Sequence, residues 1–145
     1  MIKARQLKAL HQERGEVLIE TALSVLAFLL LIFGTAEAGR LLQVQNLLTN
    51  AAREGARFGV TPLAGTMPGV LPNDASIRTI VRAYLNSGAV TLPDANIVIT
   101  RSDPSVPPAL TTVTITCQYS LMTGLFSIPG INLVGSSSMR NETSQ

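Results

Sequence analysis

Hydrophobic and polar positions divide this chain into three regimes. The first is an almost unbroken apolar stretch in which Glu20 is the one charged side chain between Val17 and Ala36. About 20 helical residues cover about 30 Å, the thickness of a bilayer's hydrocarbon core, so the stretch predicts a membrane-spanning helix. The second regime has helical period. Leu41, Val44, Leu48, Ala51, Gly55 and Phe58 recur at steps of three and four, a heptad-like seam, with Gln43, Gln45, Asn46, Asn50 and Arg53 mostly off it. The helix is expected to continue past the membrane and to end near Gly59, because Thr61-Pro62 follows and proline stops a helix. From Val17 to Gly59 that rod would be about 65 Å long.

The third regime mixes short elements. Pro62, Gly65, Pro68, Gly69 and Pro72 mark a linker or long loop. Asn73 or Asp74 can cap a helix from Ala75 to about Leu85, with Ile77, Ile80, Val81, Tyr84 and Leu85 on its apolar face and Asn86-Ser87-Gly88 ending it. Ile97 to Thr100 reads as a β-branched strand, and Asp103-Pro104 through Pro107-Pro108 as a turn or loop. From Thr111 to Leu121 the alternation is clean: Val113, Ile115, Cys117, Tyr119 and Leu121 face one way, Thr112, Thr114, Thr116, Gln118 and Ser120 the other. Pro129-Gly130 marks a turn before a last strand from Ile131 to about Arg140, in which Ser136 to Ser138 weaken the strand pattern. The sum is an α+β fold: a long N-terminal membrane-spanning helix, a second short helix, and a small antiparallel sheet of about three strands packed on the helices by one face. The expected organisation is a basic leader over 1–15, a transmembrane and assembly helix over 16–60, and a small domain over 61–145.

Within the long helix, Ala51, Gly55 and Gly59 are spaced by four, as are Ala52 and Ala56. Small residues at that interval let another backbone approach closely. Arg53 and Arg57 share a face, with Glu54 three residues before Arg57. Two readings stay open: a helix packed on its own domain with these charges solvated, or a helix–helix contact within an assembly.

Charge changes the picture at the N-terminus. Before Gly15 stand Lys3, Arg5, Lys8 and Arg14 against Glu13 alone, which by the positive-inside rule puts the N-terminus in the cytoplasm. The net charge of +2 thus resides in the leader, and the body is nearly neutral, with no Trp and two Tyr, a poor composition for binding nucleic acid. Three readings compete for the apolar segment. It can be an uncleaved anchor, a signal peptide cut near Ala36-Glu37-Ala38, or the helix of a pilin-type chain whose leader is cut after Gly15. The third is favoured. Gly15 closes the basic stretch directly before the helix, and Glu20 sits five residues later at a depth where a charge costs about 2.5–3.5 kcal/mol. A cut after Gly15 would create an ammonium on Glu16, one turn from Glu20, at the spacing of an i, i+4 ion pair.

These residues carry a resemblance. Arg14-Gly15, then Glu20 with Ala22 and Leu23, the apolar run to Gly34, Glu37-Ala38-Gly39-Arg40, and Ala51-Ala52-Arg53-Glu54-Gly55-Ala56-Arg57 together resemble the TadE-like family of pilins from bacterial tight-adherence (Flp) pilus systems. Ser137-Ser138-Met139-Arg140-Asn141-Glu142 is a weaker echo of the end of such proteins. The resemblance implies a minor pilin or pseudopilin. Its partners would be a prepilin peptidase that cuts between Gly15 and Glu16, other pilin subunits with the pilus assembly machinery, and inner-membrane lipid. It implies a single-pass inner-membrane chain with its C-terminal domain in the periplasm, and an extracellular pilus as the place where the assembled chain ends up. Glu16 stands where many pilins carry an apolar or small residue, and Thr21 where this family often has an aromatic.

Little in the chain suggests catalysis. His11, in the leader, is the one histidine, so neither a Ser-His-Asp triad nor a histidine-based metal site can form in the exported domain. The one cysteine, Cys117, excludes both an internal disulfide and a four-cysteine cluster, and its inward register on a strand predicts a buried structural thiol. No phosphate loop or dinucleotide fingerprint is present. The expectation is a protein without enzymatic activity, cofactor, metal or small-molecule substrate. Two functions from different classes follow: a structural assembly protein in which Glu20 sets subunit register, or a tethered or secreted binding module with no polymerising role.

Overall fold

A computed structural model describes residues 2–62, 70–102, 109–120 and 130–141, with side chains from Gly15 onward. Helix α1 runs over Ile2–Val60. It begins inside the basic N-terminal stretch, whose Lys, Ala, Arg, Gln and Leu residues are good helix formers. Gly15 does not break it, since one interior glycine costs only about 1 kcal/mol against alanine. Helix α2 covers Asp74–Ser87, and Asn73 caps it by accepting a hydrogen bond from the Ser76 backbone N–H at 2.8 Å. A short 3₁₀ turn, Asp94–Asn96, leads into β1 (Ile97–Arg101), followed by β2 (Leu110–Tyr119) and β3 (Ile131–Arg140). The sheet order is β1-β2-β3, antiparallel throughout, so the expected α+β architecture is the observed one.

The chain forms two compact units, one reaching Gly39 and the other Arg40–Gln145. The second unit therefore takes in the last third of α1. Its core joins Leu48, Ala51, Ala52 and Ala56 of α1 with Ile77, Val81 and Leu85 of α2 and Ile97, Val113, Ile115, Cys117 and Leu133 of the sheet. Each fully buried Leu, Ile or Val there contributes about 1.5–3 kcal/mol of burial. Ile77, Val81 and Leu85 recur at helical spacing and are all inaccessible, whereas Tyr84 at the edge of that face is exposed. On β2 the alternation predicted from the sequence is realised, with Val113, Ile115 and Cys117 buried; Leu121 lies outside the described residues. Thr111 has the same parity and goes inside as well, where its hydroxyl donates to Asn141 Oδ1 at 2.7 Å.

Three close approaches position the layers. A methyl group on Gly55 would come within 2.5 Å of Val81 Cγ2, and one on Gly135 within 2.5 Å of the Leu48 carbonyl carbon. The sheet thus meets α1 backbone to backbone at β3, and Gln45 Nε2 fixes the same corner by donating to the Val134 carbonyl at 2.9 Å. At the end of α2, Gly88 has a φ of −96° and lies against the Leu47 side chain, so the left-handed turn falls to Ala89, with φ 58°. Val90 N–H donates to Leu85 O and Ala89 N–H to Asn86 O, both at 3.0 Å, which closes the helix as a Schellman motif.

The parts of the proline-rich segments at 63–69 and 103–108, the residues at 121–129 and the C-terminal tail from Glu142 lie outside the described residues.

Candidate functional site

Most of the residues singled out in the sequence lie on α1, in two groups, at 15–20 and at 51–57. Gly15 and Glu16 are consecutive helical positions, followed by an apolar stretch that none of the described residues covers. Val17, Leu18, Ile19, Leu23, Leu30, Leu31 and Phe33 are each between 60% and 70% exposed. Soluble proteins do not leave such a length of apolar helix in water, and α1 is the one described helix long and apolar enough to cross a membrane. That fits a single-pass membrane anchor. Glu20 lies within this face, exposed, with no hydrogen bond or ion pair among the described residues. The Thr21 hydroxyl beside it is turned back to the Val17 carbonyl at 2.8 Å and so offers Glu20 no support.

Toward its C-terminal end α1 changes character. Ala51, Ala52, Gly55 and Ala56 are buried, and Gly55 faces Val81, Ile77 and Val113. Of the two readings left open for these small residues, the structure has them against the chain's own α2 and sheet. The three charges between them stay outside. Glu54 and Arg57 form a two-pronged pair, with Arg57 Nη2 at 2.6 Å and Nε at 3.0 Å from the two carboxylate oxygens. Hydrogen bonding from Arg57 holds the Glu54 carboxyl below the usual glutamate range. Arg53 is exposed and has no partner among the described residues.

The model of the TadE-like protein family matches residues 15–57. This stretch is similar to TadE-like proteins. It starts at Gly15, spans the exposed apolar face with Glu20, and closes on the Glu54–Arg57 pair, so it contains Gly15, Glu16, Glu20 and the small and charged residues from Ala51 to Arg57. The TadE-like segment runs from an uncovered apolar helix into the helix that builds the domain core. No curated protein and no solved structure matches the chain.

Sequence reasoning missed Gln45, Gly135 and an open cleft of about 580 Å³ beside the TadE-like segment. The cleft has Arg40, Gln43, Asn46 and Asn50 along α1 on one side and Val90 and Tyr119 on the other. Gln43, Asn46 and Asn50 were read only as polar positions off the seam, and their joint spacing of three and four was the signal available. Cys117 forms part of the cleft wall but is only 8% exposed, and its burial raises the thiol pKa. It fits a structural thiol better than a reactive one.

Proposed function

We propose that the chain is a minor pilin or pseudopilin that takes part in assembling a tight-adherence type pilus or a related secretion machine. The observation that carries this reading is Glu20, a carboxylate without a partner among the described residues, in an exposed apolar helix five residues after the glycine at which the TadE-like segment begins. In lipid that carboxylate costs a few kcal/mol, and a cation brought to it by assembly recovers the cost. A prepilin peptidase cutting after Gly15 supplies one, the new ammonium of Glu16. The leader stays in the cytoplasm until the cut, the helix waits in the inner membrane, and the domain faces the periplasm. Pairing of Glu20 with a cation within a bundle of helices sets the register of each subunit and favours its extraction into the filament.

The match to the TadE-like family over 15–57, a segment of one helix whose singled-out residues are apolar, small or charged, supports a structural role rather than an enzymatic one. The tethered binding module is the alternative, and the open cleft on the domain is the feature that favours it. Intact mass of the protein taken from cell membranes separates the two. The proposal expects a chain that begins at Glu16 in cells with the prepilin peptidase and at Met1 in cells without it. A mass that does not depend on the peptidase rules the proposal out.

A further inference from the structure

We propose that Arg53 is the docking cation for the start of α1 in a neighbouring copy of this chain. The inference rests on the cut after Gly15 proposed above. That cut leaves one ammonium beside two carboxylates, those of Glu16 and Glu20, which lie one turn apart on the same helical face. One ammonium neutralises one of them. The other has no partner among the described residues, and its neighbours Val17, Leu18, Ile19 and Leu23 are the exposed apolar side chains that a bundle would bury. An uncompensated carboxylate enclosed in such a bundle is strongly unfavourable, so a second cation is required.

Most cations with described side chains are already engaged. Arg57 holds Glu54, Arg82 holds Asp94, Arg101 holds Asp74, and Arg78 reaches the Ile97 carbonyl. Arg40 also has a partner. Arg53 and Arg140 remain. Arg140 pairs in register with Leu110 and shares the parity of Ser136 and Ser138, on the sheet face turned away from the helices. Arg53 is on α1 itself, and Leu42, Asn46 and Asn50 lead up to it in steps of three and four, all exposed and all uncharged. A second helix can lie along that face and meet Arg53, since Arg57 one turn on is already held by Glu54. Glu20 and Arg53 stand about 33 residues apart in α1, and side chains of one helix meet at steps of three and four, so the carboxylate comes from another chain. The partner is therefore a second copy, parallel and staggered so that its first turns pass Arg53.

Site-directed cross-linking tests this in cells that make the prepilin peptidase and the assembly machinery. Two differently tagged full-length chains are co-expressed, one Val17→Cys and one Asn50→Cys, each substitution three residues before its charged partner. A disulfide needs Cα atoms within about 7 Å, so a mixed-tag dimer reports the proposed stagger directly. The expected result is a mixed dimer that drops at least about tenfold when Arg53→Glu is added, as loss of an interfacial charge pair would produce. It should return with Arg53→Lys and be indifferent to Arg140→Glu. A dimer of equal yield with Arg53→Glu overturns the inference, and so does the absence of a mixed dimer from chains whose mass shows that they begin at Glu16. A chain that still begins at Met1 overturns the inference together with the cleavage beneath it, and its mass identifies which of the two has failed.

Discussion

At the scale of single residues, the domain depends on missing side chains as much as on present ones. Gly135 sits where β3 crosses the Leu48 backbone, and a methyl group there meets carbonyl atoms that cannot rotate away. Gly135→Ala is expected to destabilise the domain by about 1–3 kcal/mol, the usual cost of overpacking, and to lower its melting temperature by several degrees. Gly39→Ala is the matched control, since its added methyl meets nothing and alanine favours a helix; its melting temperature should hold or rise. Thermal unfolding of the two variants by circular dichroism checks both. None of this was legible in the chain, because a lone glycine in a strand does not say which backbone approaches it. Glu20 was legible for the opposite reason, since a charge inside an apolar run stands out before any fold is known.

At the scale of elements, local periodicity carried most of the fold. Helix α2 and strand β2 each have one face that must be apolar, and their spacings of 3.6 and 2 are visible in a single pass. Strand β3 was the weak case. Its serines have little strand preference of their own, but β3 pairs with β2 over ten residues, and Ser136 and Ser138 meet the hydroxyls of Thr114 and Thr112 across the ladder. Tertiary pairing fixes it where local preference does not. The end of α2 carries a cost that the sequence conceals. Glycine would be expected in the left-handed position, but Gly88 is committed to the contact with Leu47 and Ala89 takes the positive φ. Ala89→Gly should relieve about 1 kcal/mol of strain, and urea unfolding should show the midpoint move upward without a change of slope.

At the scale of the whole molecule, the expected boundary at residue 60 and the observed compact unit differ in what they assign to the helix. The chain was divided where the helix ends; the compact unit begins at Arg40, because α1 supplies Leu48, Ala51, Ala52 and Ala56 to the core. The reason is size. About 85 residues bury barely enough surface to fold alone, and the α1 residues provide one wall of the core. A fragment starting at Arg40 is therefore expected to unfold cooperatively in urea, and one starting at Thr61 to show no cooperative transition. The seam from Leu41 to Phe58 was readable as a buried stripe. What could not be read was whether it would meet the chain's own domain or a neighbour, since small residues at intervals of four serve either purpose.

The account turns on the carboxylate at position 20 acting in assembly rather than in membrane insertion. Its most direct test is the amount of Glu20→Ala protein in sheared filaments, measured beside the amount of processed protein in the membrane. The expected outcome is normal insertion and processing, with the chain missing from the filament fraction. Glu20→Ala protein that enters filaments as readily as the unsubstituted chain would contradict the account.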